Sequence, residues 1–96
     1  MGIPGKIENT ITMSDEEFDV LDELYFVISF EELMEAIDMH EQMLFQVLKD
    51  LLEKGWIRCY RNHSEELLPH EANFSRFYRE YHYLATKAGL LAHNGR

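Results

Sequence analysis

From Ser14 onward, apolar residues recur at helical spacing between short polar breaks. Phe18, Leu21, Leu24, Tyr25 and Ile28 fall every three or four residues, with Asp19, Asp22 and Glu23 on the other side. This pattern predicts an amphipathic helix. Its start is marked by Ser14 and Glu17, the two members of a capping box, with Met13 and Phe18 at the hydrophobic-staple positions. Asp15, Glu16 and Glu17 place negative charge at the positive end of the helix dipole. Ser29 and Glu32 repeat the box, so a second helix opens at Phe30 and buries Leu33 and Ile37, with Met34 and Ala36 nearby. Asp38-Met39-His40 reads as a tight turn, because Asp tolerates left-handed backbone. A third helix is predicted over residues 41–54, with a seam of Leu44, Leu48 and Leu51 flanked by Val47 and Leu52. Gly55 supplies a left-handed cap, from which Trp56 folds back on Leu51.

Beyond Gly55 the period changes to two. Residues 56–61 alternate, with Ile57 and Cys59 on one face, and predict a strand. A polar stretch over 62–75 leads to the aromatic run 77–84, which pairs with the first strand as a long-looped hairpin. A helix through 76–83 is the rival reading. Thr86 caps a last short helix through Leu90 and Leu91, ending near Asn94 and Gly95. Residues 1–13 hold Gly2, Pro4 and Gly5 before Ile7 and Ile11, and read as a flexible arm with room for a short added strand. The organisation is thus an arm over 1–13 and one domain over 14–94.

Composition agrees with one small folded domain: of 96 residues, 46% are hydrophobic and 28% charged. The longest apolar run, residues 24–28, is far short of the ~20 needed for a membrane span, so no membrane partner is expected. A single cysteine, Cys59, excludes an internal disulfide and a cysteine-rich zinc site. The first residues lack the pattern of a secretory signal, and the expected compartment is the cytoplasm. The net charge of −9 is unevenly spread. Residues 1–53 carry two lysines against fourteen carboxylates, whereas 54–96 carry seven Lys and Arg against four Glu. An acidic protein repels phosphate at long range, so any attraction to nucleic acid must be local.

The stretch over 33–57, LMEAIDMHEQMLFQVLKDLLEKGWI, resembles the winged helix-turn-helix of bacterial transcription regulators of the MarR, PadR and ArsR kinds. Leu33, Ile37, Leu44, Leu48, Leu51, Gly55 and Ile57 fall into that register without a gap. Further on, YHYLATKAGLLA resembles the segment leaving the second wing strand, with Thr86 and Gly89 in matching places. Ala85 stands where the family usually has leucine, with Leu84 one position early. The resemblance spans about residues 14–92. It implies an α+β, mostly helical winged helix-turn-helix: a three-helix core, a two-stranded wing and a short C-terminal helix. It further implies a dimeric regulator that holds double-stranded DNA, with helix 41–54 in the major groove. The same leucine spacing also serves a three-helix core that never touches DNA.

On the DNA reading, Gln42 and Gln46 are placed to contact adenine and Lys49 to contact phosphate. Arg58, Arg61, Arg76 and Arg79 would project from the wing, interleaved with Tyr60, Tyr78 and Tyr81. The third helix departs from that pattern: it has no arginine, and Met43 and Phe45 face outward. The second helix sets Glu31, Glu32, Glu35 and Asp38 where phosphates would lie. The regulator stays the leading reading, and these departures support an alternative, an acidic winged-helix module with little or no DNA binding that holds a basic or apolar protein partner through Met39, Met43 and Phe45. The arginines would then pair with the acidic half, within the chain or across a homodimer built on residues 1–13 and 87–96. An adaptor or self-association domain with no dedicated ligand is a third reading.

No enzyme motif is present: there is no phosphate-cradling glycine loop and no HExxH. No cofactor or metal is expected. His63, Glu65, Glu66, His70 and Glu71 read as a solvated loop, Cys59 as a small core residue and His82 as structural.

Overall fold

Two adjacent capping boxes set the path of the first half. In the computed structural model, which describes residues 12–96, the Ser14 Oγ accepts from the Glu17 amide at 3.0 Å. The Glu17 carboxylate accepts from the Ser14 amide at 2.9 Å. Helix α1 follows over Asp15–Asp22. It ends before the predicted point. Leu24 is buried in the turn beyond it, and its carbonyl accepts the Ala85 amide at 2.9 Å, which draws the chain into a sheet. Ile28–Ser29 therefore forms strand β1, not a last helical turn. Ser29 is extended there because it caps α2, Phe30–Ala36, through the second box.

A bend over residues 37–39 leads to His40, whose Nδ1 accepts from the Met43 amide and opens α3, Glu41–Glu53. Asp38 does not use left-handed backbone; among the described residues, only Gly55 has positive φ, at 75°. That glycine ends α3, and the Trp56 amide turns back to the Leu51 carbonyl at 3.0 Å, as the cap predicts. Strand β2, Ile57–Tyr60, buries Ile57 and Cys59 on one face. Asn62 Oδ1 then accepts the amides of Ser64 and Glu65, a side-chain turn that sends the chain back as β3, Glu66–Leu67.

The aromatic run is where prediction and structure part. Phe74–Phe77 is a short helix, α4, residues 78–80 turn, and only His82–Ala85 is extended, as β4. The helical alternative thus holds for Arg76 and Phe77 and the strand for the residues after Tyr81. The cause is tertiary. The Tyr81 hydroxyl accepts the Asn73 amide at 3.0 Å, and the Tyr83 hydroxyl donates to the Tyr78 carbonyl at 2.7 Å. Together they close residues 73–83 into a loop over α3.

The chain ends with α5, Lys87–Asn94, capped by Thr86. The sheet is antiparallel in the order β1-β4-β2-β3, with Ile57 opposite Ala85 and Cys59 opposite Tyr83. The fold is α+β, and about 47% of the described residues are helical. Val20, Leu21, Leu24, Leu33, Leu44, Leu48, Leu51, Ile57 and Tyr83 are fully buried between the helices and one face of the sheet. Two contacts fix α1 and α5 against the junction of α3 and β2. Lys54 Nζ meets both oxygens of the buried Glu17, at 2.8 and 2.7 Å, joining α3 to α1. Gly89 lets α5 lie directly on the Trp56 backbone, since a Cβ there would stand 2.1 Å from the Trp56 carbonyl oxygen. No helix among the described residues is long and apolar enough to cross a membrane. Residues 1–11 of the expected arm, with its added strand, lie outside the described residues.

Candidate functional site

The seam of α3 turns Leu44, Val47, Leu48 and Leu51 inward and leaves Gln42, Met43 and Gln46 exposed. Two of the three α3 residues expected to meet DNA are engaged along the helix. Gln46 donates to Asp50 at 2.9 Å, and Lys49 pairs with Glu53 at 3.1 Å. Gln42 is exposed at the first turn. Phe45 is not the free apolar side chain that its position predicts. It is half-buried, stacked on Phe74 with ring centroids 5.0 Å apart and edge-on to Tyr78 at 4.8 Å. Met43 remains 40% exposed, while Met39 is half-buried against the core.

Contrary to expectation, the four arginines do not all project from one hairpin. Arg58 lies on β2 and Arg61 just beyond it, whereas Arg76 lies on α4 and Arg79 in the turn after it. Three face carboxylates: Arg58 with Glu66 at 3.6 Å, Arg61 with Glu65 at 3.2 Å, and Arg79 with Glu41 at 2.5 Å. The Arg76 guanidinium rests over the Phe77 ring at 5.3 Å. The expected pairing with the acidic half is thus seen only for Arg79; Arg58 and Arg61 pair with glutamates of their own half.

Glu41 is the pivot of this face. The Tyr78 hydroxyl and the Arg79 Nε both donate to its Oε2, each at 2.5 Å. These bonds, the tyrosine's first, hold the Glu41 carboxyl below its ordinary value of 4.5, and the same bond raises Tyr78. A cleft of about 510 Å³ lies alongside, lined by Glu41, Gln42, Phe45, Ser75, Tyr78 and Arg79. Sequence reasoning placed Tyr78 on a strand and missed Glu41 as its partner. The signal available was the Phe74, Phe77, Tyr78 spacing, which suits one helical turn.

Helix α2 presents Glu31, Glu32 and Glu35 to solvent, and Asp38 follows in the bend. The Glu32 carboxyl lies below its ordinary value because it accepts the Ser29 amide as a cap. Residues 30–48 include five carboxylates and no Lys or Arg. The loop histidine His63 sits against the His82 ring at 4.7 Å, and Glu71 accepts the Leu68 amide. Cys59 is 1% exposed, and burial pushes its thiol up to about 12. Comparison with family models, curated proteins and solved structures finds no match to this chain.

Proposed function

We propose that the chain is a winged helix used as a non-catalytic protein-interaction module. The acidic face of α2 and the start of α3 would bind a basic, partly apolar segment of a partner. The winged-helix reading is supported by the order α1-β1-α2-α3-β2-β4, with β4 lying between β1 and β2 in the sheet. On this reading β3 and α4 elaborate the connection where the wing lies.

The functional reading is carried by one observation: Lys49, Arg58, Arg61 and Arg79 each face a carboxylate of their own chain. Exposed pairs of this kind add little to stability because water and salt screen them, so their main effect is to cancel local positive charge. A phosphate would have to displace those carboxylates inside the field of a chain of net charge −9. A cationic partner meets no such obstacle at Glu31, Glu35 and Asp38, and Met43 offers it an adaptable apolar contact. The dimeric DNA-binding regulator is the second reading, supported by the exposed Gln42 and Arg76.

Fluorescence anisotropy separates the two. A labelled amphipathic peptide of lysine and leucine should bind at about 50 mM salt and weaken as salt rises, while random duplex DNA should not bind. Changing Glu31 and Glu35 together to Gln should lower peptide affinity. Duplex binding that disappears when Arg58, Arg61, Arg76 and Arg79 become alanine would instead support the regulator.

A further inference from the structure

Arg79 is a cation already seated on the face assigned to the partner. Its Nε reaches Glu41 Oε2 at 2.5 Å, and Tyr78 donates to the same oxygen. One turn along α3, Phe74 and Tyr78 close over Phe45. The segment is tied at its ends by the Asn73–Tyr81 and Tyr83–Tyr78 bonds. Clefts flank it on both sides: the one beside Gln42 and Ser75, and another of about 480 Å³ lined by Lys49, His70 and Asn73 among others. Phe74, Phe77 and Tyr78 also pack half-buried against the core, Tyr78 edge-on to Phe30 at 5.2 Å, so lifting the segment must release these contacts as well.

We infer that residues 74–80 form an autoinhibitory latch, in which Arg79 occupies Glu41 in place of the partner's cation and Phe74 with Tyr78 covers Phe45. Lifting the segment frees the Glu41 carboxylate and uncovers the Phe45 ring one helical turn further on. The Arg79 bond to Glu41 is exposed and the Tyr78 bond half-buried, so a partner with several cations can compete first for the position of Arg79. This inference rests on the reading of the α2–α3 face as a site for basic segments.

The test compares Arg79→Gln with Arg76→Gln in the full chain, using the lysine–leucine peptide. Both substitutions remove one positive charge from the same segment, but only Arg79 contacts Glu41. Arg79→Gln should bind the peptide about two- to fivefold more tightly than Arg76→Gln. Hydrogen exchange over 74–80 should accelerate in Arg79→Gln alone. Equal affinities for the two variants would assign any gain to net charge and overturn the latch. Wild-type binding with no gain in Arg79→Gln discards the latch and leaves the partner site standing. No binding by wild type or by Arg79→Gln removes both.

Discussion

Gly55 and Gly89 show how one substitution can fail for two different reasons. At Gly55 a Cβ would meet nothing within 4 Å, but φ is 75°, so Gly55→Ala is strained by backbone alone. The expected loss is about 1–2 kcal/mol. At Gly89 the added carbon would collide with the Trp56 carbonyl oxygen and carbon, both backbone atoms that cannot step aside. Gly89→Ala should cost more, about 2–4 kcal/mol, by displacing α5 from the sheet. Urea unfolding of the two variants gives the comparison directly, and equal losses would mean that α5 shifts freely. Cys59 is a third case at this scale. With its thiol pushed up to about 12 and its side chain enclosed, it should resist thiol reagents at neutral pH until the protein unfolds.

Among the elements, those fixed by local chemistry were legible from the residues alone. Ser14 with Glu17 and Ser29 with Glu32 located both helix starts, and Gly55 with Trp56 located the end of α3. What escaped was settled by distant partners. Leu24 leaves its helix because Ala85, far along the chain, needs its carbonyl. The run 74–81 coils because Phe45, Glu41 and Asn73 hold it, although its composition suits a strand. The candidate site suffered most from this. Gln42 and Met43 were placed correctly on the exposed face, but Phe45 and Arg79 changed surroundings with α4. Glu41→Gln should therefore loosen residues 74–80 and leave the α1–α3 core unaffected. Hydrogen exchange would report this as faster amide exchange confined to that segment; faster exchange throughout would make Glu41 a global support.

For the molecule as a whole, charge governs both stability and association. Glu32 and Glu41 hold their protons less tightly when folded than their ordinary value of 4.5. Their contribution is complete above that value and is lost as pH falls through the folded values. Urea midpoints should thus decrease from about pH 6 to about pH 3, and Glu41→Gln should flatten part of the decline. Glu31, Glu35 and Asp38, neighbours of Glu32 and Glu41 along the chain, define the proposed binding face, in a chain whose basic residues largely face carboxylates of the same chain. Amide chemical-shift mapping of the labelled protein tests that account most directly, with the lysine–leucine peptide and random duplex added separately at low salt. The peptide should shift the amides of Glu31, Glu35, Asp38, Met39 and Met43, and DNA should shift none. Shifts at Gln42, Gln46, Lys49, Arg58 and Arg61 on adding DNA, with the α2 amides unmoved by the peptide, would contradict the proposed binding face.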